Sequence, residues 1–498
     1  MMVAEAFVEG LQVFTNLDIW FFIFAGIVTG LIFGIIPGIG GIAAMSILLP
    51  FVYYMPPEHA LPLFISICAV TATGGSISAI LLNIPGTTPN AATVIDGFPM
   101  TQKGEGSRAL GAALTSSGMG GIIGVVLALL AVPLVLPLVY AITSADMVFI
   151  ILMGLSFIAV LNKGSLLKAL IAGGVGIALS FVGLHVMTGV TRFTFGTVYL
   201  ISGLPLIPIV LGLFAVPQII SLAARGETIA RSDRIILSMR GVVEGMKDVF
   251  HRWGLWLRSS IIGYIIGVIP GVGSSTAVFV CYGLAKQTSK HQERFGTGIV
   301  EGVIAPESAN NAKEGGALLT TLALGIPGSA EFIIVLAALM MLGIKPGPEM
   351  LTTRLPLSFT ILQVLFISSI IGAVICLLLA PRLVKITTIP AHILTPIVTV
   401  IVFLGTFAHE ERFLSLVVLI IFSLLGLAMR KYGFGTSALL LGFILGDLFE
   451  KYLFLAYGTG GPLFFLRPIS LSVIFIIIAL FCYQPVRNLF IRRARRGA

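Results

Sequence analysis

Gly34-Ile35-Ile36-Pro37-Gly38-Ile39-Gly40 and Gly267-Val268-Ile269-Pro270-Gly271-Val272-Gly273 are imperfect copies of one apolar stretch interrupted by Pro-Gly. A second break follows each copy, Asn83-Ile84-Pro85-Gly86 in one half and Gly325-Ile326-Pro327-Gly328 in the other. Proline removes a backbone donor and clashes with the preceding turn. Glycine lets the chain turn without a Cβ penalty. Inside a bilayer such a break frees N–H and C=O groups that lipid cannot satisfy, so it must line a cavity or a site. Broken helices at matching positions of two halves point to a transporter.

The rest of the chain fits a membrane setting. Its 498 residues are 57% hydrophobic and only 10% charged. A soluble domain carries about 25% charged residues, which excludes that class. Apolar runs recur at roughly spanning length. They predict an all-α polytopic membrane protein of about twelve transmembrane helices, some broken or re-entrant. The 57 glycines suit close helix packing.

The net charge of +9 does not mark a nucleic-acid binder. Its basic residues concentrate in a central loop (Arg225, Arg231, Arg234, Arg240, Lys247, Arg252, Arg258) and in a tail (Arg487, Arg492, Arg493, Arg495, Arg496). Basic loops beside apolar helices are the positive-inside signature. Acidic Glu227, Asp233, Glu244 and Asp248 are mixed into the loop, and no nucleic-acid motif is present. Cys68, Cys281, Cys376 and Cys482 stand singly in apolar stretches, without metal or disulfide spacing. The first residues carry Glu5 and Glu9 and no early Lys or Arg, unlike a cleavable signal.

Further landmarks keep the order of the breaks. Phe195-Gly196-Thr197 matches Phe434-Gly435-Thr436, and Leu211-Gly212 matches Leu445-Gly446. The expected division is an N-terminal segment 1–16, repeat 17–223, a basic linker 224–255, repeat 256–457, and a last helix with its basic tail in 458–498. With linker and tail both inside, the second repeat crosses an odd number of times and the two repeats are inverted. Basic Lys163 and Lys168 oppose acidic His409-Glu410-Glu411-Arg412, as inversion requires. Lys345 and Arg354 fall on an expected outside stretch, against the rule.

The half-helix that starts after each Pro-Gly presents free N–H groups and a positive dipole end, which suits carboxylates. On this basis the expected substrate-binding residues are Gly38, Gly40, Asn83, Gly86, Thr87, Gly271, Gly273, Ser274, Asn310, Asn311, Gly328 and Ser329. Thr71, Thr73, Ser76, Pro37 and Pro270 are expected at a site for the coupling cation. Polar groups at membrane depth are costly and usually functional. The alternative for the Glu307–Glu314 stretch is a solvated loop end, and for Asp96-Gly97-Phe98-Pro99-Met100 a surface turn. Asp447 and Glu450 suit either an ion path or an interface, and His185 suits packing. No GxxxxGK[ST] loop, HExxH or GxSxG occurs. ATP hydrolysis and enzyme chemistry are therefore not expected, nor is any cofactor beyond a coupling ion.

Ile36-Pro37-Gly38-Ile39-Gly40, Leu82-Asn83-Ile84-Pro85-Gly86, Asp96-Gly97-Phe98-Pro99-Met100, and Ala305-Pro306-Glu307-Ser308-Ala309-Asn310-Asn311-Ala312 with Leu324-Gly325-Ile326-Pro327-Gly328-Ser329 resemble the large membrane subunit of tripartite tricarboxylate transporters, the TctA family. The resemblance implies a bacterial inner-membrane permease whose N-terminal segment is periplasmic. Its partners would be a small TctB-like membrane subunit and a TctC-like periplasmic solute-binding protein. Its substrates would be citrate-like tricarboxylates or other organic carboxylates, driven by a Na⁺ or H⁺ gradient. Lys313-Glu314 and Glu331 depart from the family pattern. The competing readings are an ion antiporter of similar architecture using Asp447 and Glu450, a membrane enzyme, and a non-transporting assembly subunit.

Overall fold

The computed structural model describes residues 3–36, 40–161, 165–185, 187–225, 237–270, 273–383, 391–410 and 412–481. Among these the chain is almost wholly helical. In the first half α1 (Val3–Gln12), α2 (Leu17–Ile35), α3 (Gly40–Val52), α4 (Pro57–Leu82), α5 (Ala91–Gln102), α6 (Gly106–Ala141), α7 (Ser144–Leu161), α8 (Leu166–Ser180), α9 (Leu206–Val210) and α10 (Val216–Arg225) follow in order. A π-helical segment, Leu211–Ala215, joins α9 to α10. A short antiparallel hairpin pairs Gly183 with Arg192, a minor exception to the all-α expectation. The second half holds α11 (Met239–His251), α12 (Trp253–Val268), α13 (Gly273–Thr288), α14 (Glu301–Leu324), α15 (Ala330–Met341), α16 (Pro348–Leu351), α17 (Leu355–Leu383), α18 (Ala391–Glu410), α19 (Leu414–Tyr432) and α20 (Thr436–Gly460). α21 (Pro468–Phe481) follows at a 62° bend.

All four sequence breaks coincide with helix ends. α2 stops at Ile35 and α3 starts at Gly40; α12 stops at Val268 and α13 starts at Gly273. Gly40 and Gly273 both have φ +71°, a left-handed conformation open to glycine at little cost. The second breaks also match: Asn83 caps α4 at φ +60° and Gly325 caps α14 at φ +69°. Arg258, on the second turn of α12, donates to Thr288 at the end of α13 (2.9 Å). α13 therefore returns to the end of the molecule from which α12 set out.

Among the described residues, five helices (α2, α4, α6, α17, α19) are long and apolar enough to cross a membrane, and six spans result if the bent α20–α21 pair counts as one. Several others are apolar but shorter, among them α3, α12 and α15, because the breaks divide them. α14 is a separate case. Its Gly302–Ala323 stretch is entirely buried, yet it carries Glu307, Lys313 and Glu314. It is polar by composition and central by position.

Small residues let other helices close on α4 and α14. Gly30 of α2 lies against the Ile67 backbone of α4, and Gly263 of α12 lies against Ala309 of α14. On a neighbouring face of α14, α6 packs Gly120 and Gly124 against Ser308 and Ala312. Such close backbone approach is the usual means of joining helices where lipid removes the hydrophobic drive.

Candidate functional site: a cavity at the helix breaks and the polar face of α14

A cavity of about 490 Å³ opens at the breaks of the first half. Gly40 and Gly41 at the start of α3 and Pro85–Thr88 after α4 form one wall. Gln218 of α10, Glu331 of α15, Arg430 of α19, and Thr436 and Ser437 at the start of α20 complete it. The first amides of α3 have no intrahelical acceptor and carry the positive end of its dipole. Arg430 is solvent-exposed and donates to Gln218 (3.2 Å), leaving donors free toward the cavity. The site thus combines backbone donors, hydroxyls and one guanidinium, a donor set suited to a carboxylate.

Beside the cavity α14 turns a buried polar stripe toward α4 and the residues after it. Glu307 accepts hydrogen bonds from Ser76 (2.7 Å), Asn90 (3.3 Å) and Thr93. Asn90 also donates to the carbonyl of Ala72 (3.0 Å) and accepts from the Thr87 backbone (3.2 Å), tying this network to the cavity wall. One turn on, Asn311 donates to the Thr73 hydroxyl (2.8 Å) and the Ala69 carbonyl (3.3 Å). Lys313 and Glu314 form a buried ion pair at 2.5 Å. Four polar groups on this stripe stand out: both amide atoms of Asn310, the Asn311 Oδ1 and the Glu314 Oε2 have no hydrogen-bond partner in the described structure. Asn310 is fully buried. Unpartnered groups at such depth cost about 1–3 kcal/mol each, so a native fold keeps them for a reason.

The residues expected from sequence therefore divide. Gly40, Gly86 and Thr87 line the cavity. Thr73, Ser76 and Asn311 are buried on the α4–α14 contact, Asn310 is buried on α14 without a partner, and Thr71 bonds back to Ile67 (2.6 Å). Asn83 is the C-cap of α4. Gly273, Ser274, Gly328 and Ser329 sit at the second half's breaks and line none of the cavities described here. Pro270 is buried at the end of α12. Pro37, Gly38 and Gly271 lie outside the described residues, as do Lys163 and Glu411. Arg430 and Glu331 were not among the expected ligands; Arg430 sits beside Lys431 and reads as an ordinary loop-flanking charge.

Three sequence readings are corrected. The Glu307–Glu314 stretch is no solvated loop end but the buried middle of a helix. Asp96 is no surface turn: it lies on α5, fully buried, and accepts from the backbone of Gly296 (2.9 Å), Gly298 (2.8 Å) and Ile299 (3.1 Å) and from Tyr282 (2.9 Å). It is the latch that holds the loop leading into α14. Glu450 is gripped by both terminal nitrogens of Arg192 (2.7 and 2.8 Å), with His185 3.4 Å away. A carboxylate so paired anchors the hairpin to α20, which weighs against an antiport path through it.

The model of the tripartite tricarboxylate transporter TctA family matches residues 20–441. An Agrobacterium vitis protein described as an uncharacterized 52.8 kDa protein in the TAR-I ttuC' 3' region is 33% identical over 440 residues, 86% of this chain and 85% of its own length. A second, from the TAR-II ttuC' 3' region of the same organism, is 34% identical over 191 residues, 38% of this chain and 79% of its own length. No solved structure matches. With two broken helix pairs, a carboxylate-suited cavity and a family match across most of its length, the chain belongs to the TctA family of tripartite tricarboxylate transporters.

Proposed function

We propose that the chain is the permease subunit of a three-component uptake system for organic carboxylates, including tricarboxylates. It would sit in a bacterial inner membrane, work with a small TctB-like membrane subunit and a TctC-like periplasmic binding protein, and draw on a Na⁺ or H⁺ gradient. The observation that carries the reading is the 490 Å³ cavity, where the α3 N-terminus, the Pro85–Thr88 break and Arg430 converge. A substrate carboxylate would meet the α3 amides and Arg430, with Thr87, Thr436 and Ser437 as further donors. The coupling ion would use the unpartnered oxygens of the α14 stripe, Asn310 Oδ1, Asn311 Oδ1 and Glu314 Oε2. These suit a hard cation or a proton equally.

The two halves are proposed to be inverted repeats. The return of α13 beside α12, and the matching left-handed caps at Asn83 and Gly325, support it. The test is uptake of labelled citrate and smaller carboxylates into proteoliposomes holding the permease with a TctB-like subunit and a TctC-like binding protein. An imposed ion gradient should drive accumulation without ATP. Arg430→Gln should raise the half-saturating substrate concentration about ten- to a hundredfold, the worth of one charge-assisted contact. Uptake unaffected by Arg430→Gln would move the carboxylate site elsewhere, and uptake that needs ATP would sink the coupling mechanism.

A further inference from the structure

A second cavity, of about 500 Å³, lies at the base of the α12–α13 hairpin, at the ends of these helices away from their Pro270 break. Its charged lining is Arg252, Arg258, Lys290 and Glu301, three cations and one anion, with His251 and His291 beside them. Arg252 is committed: it holds Asp248 (2.7 Å) and, through Oε1, the cavity's single acid Glu301 (2.8 Å). Arg258 meets only the hydroxyl of Thr288 (2.9 Å). Neither Arg258 nor Lys290 has a carboxylate partner among the described residues. Two cations therefore face a concave space with no anion to answer them.

The rim has a different chemistry. α11 buries Val242, Gly245 and Val249 and leaves Val243 and Phe250 exposed. Trp253 follows, 64% exposed, on the lip of the cavity. An amphipathic helix with apolar residues exposed beside basic ones lies in the plane of a membrane surface, and exposed indoles favour the same level. We propose that this cavity binds the phosphate headgroup of an anionic phospholipid. Arg258 and Lys290 take the phosphate oxygens, and Trp253 and Phe250 lie along the glycerol and upper acyl chains. Basic pockets between membrane helices on the positive side are suited to such headgroups. A free phosphate ion shares the first contact but has nothing to place against the two aromatic side chains. The site depends on neither the substrate nor the coupling ion.

Native mass spectrometry of the purified full-length protein tests this, with phosphatidylglycerol, phosphatidylcholine and inorganic phosphate as probes. Phosphatidylglycerol should be retained about tenfold more strongly than phosphatidylcholine. Arg258→Gln with Lys290→Gln should abolish that preference. Removing two exposed charges elsewhere, Lys103→Gln with Lys345→Gln, should leave it intact. Trp253→Ala should weaken lipid retention without affecting phosphate. Thermal unfolding checks each variant's fold; should the double variant not fold, Lys290→Gln alone, on an exposed loop, should still lower the preference measurably. Equal phosphatidylglycerol retention by the parent and the folded Arg258/Lys290 variants overturns the proposal. Inorganic phosphate displacing the lipid at similar concentration, with Trp253→Ala silent, also overturns it, in favour of a free-anion site.

Discussion

Asn310 and Asn311 are neighbours on α14 with opposite circumstances. Asn311 joins α14 to α4 through Thr73 and the Ala69 carbonyl, whereas Asn310 has no partner at either amide atom. Truncating Asn311 breaks a buried hydrogen bond and leaves the Thr73 side without its donor, a loss of about 1–3 kcal/mol. Truncating Asn310 removes an amide whose desolvation no protein partner compensates, so the fold should lose little. Asn311→Ala is therefore expected to lower the apparent unfolding temperature in detergent. Asn310→Ala should leave that temperature nearly unchanged and reduce ion-driven uptake about tenfold or more. The reverse pattern would make Asn310 a packing residue and remove it from the proposed ion site, leaving Asn311 as the stripe's amide ligand. Adjacent positions look alike in sequence; which has a partner depends on the helix that faces each.

At the scale of elements, backbone contact decides stability. A side chain at Gly263 would meet the Cα and carbonyl of Ala309 at 2.7 Å, atoms that cannot yield without moving α14. Gly263→Leu should cost at least about 1–3 kcal/mol by overpacking and reduce insertion-competent protein, seen as loss of the monodisperse peak in size-exclusion chromatography. The docking of α11 on α6 adds an ionic contact to close glycine packing at Gly111 and Gly245. Asp248 accepts from Arg108 Nε (2.5 Å) and Arg252 Nη1 (2.7 Å). Burial alone would raise the Asp248 carboxyl. The hydrogen bond from Arg108 and the two guanidinium charges outweigh burial and hold it below the usual carboxylate range. A carboxyl lowered in the fold stabilises fully above its ordinary value near 4, and that contribution disappears as pH falls through the lowered one. Asp248→Asn should therefore unfold earlier than the parent at pH 7. The gap should close below about pH 4, where the parent loses the same interaction. A gap independent of pH would mean that Asp248 acts through packing alone.

At the scale of the whole molecule, sidedness follows from charge and from the return of hairpins. Arg430 and Lys431 end α19, and Lys168 reaches the carbonyl of Tyr432 (2.7 Å), so basic residues from both halves gather at one end. The acidic turn near His409 is at the other end of α19, whose 19 residues are long enough to cross. Single cysteines at positions 409 and 431 should react with impermeant reagents from opposite sides, position 409 from outside. Reaction of both from one side would remove the inverted-repeat arrangement.

The sequence by itself determined the class and the broken helices. Hydropathy excludes a soluble fold, and proline and glycine act on the backbone locally, so the ends at Ile35, Leu82, Val268 and Leu324 were legible from the residues beside them. What faces what was not legible. Asp96 looked like a turn residue because its partners, the amides around Gly298, lie two hundred positions away. Arg430 looked like a loop charge because only folding sets it opposite Gly40 and Thr87. For Glu307 the sequence left a solvated loop end open as an alternative, because its three donors belong to the other half. A local pattern fixes where a helix must end. Whether a charge is buried, paired or aimed into a cavity depends on contacts between distant segments, and those exist only in the tertiary structure.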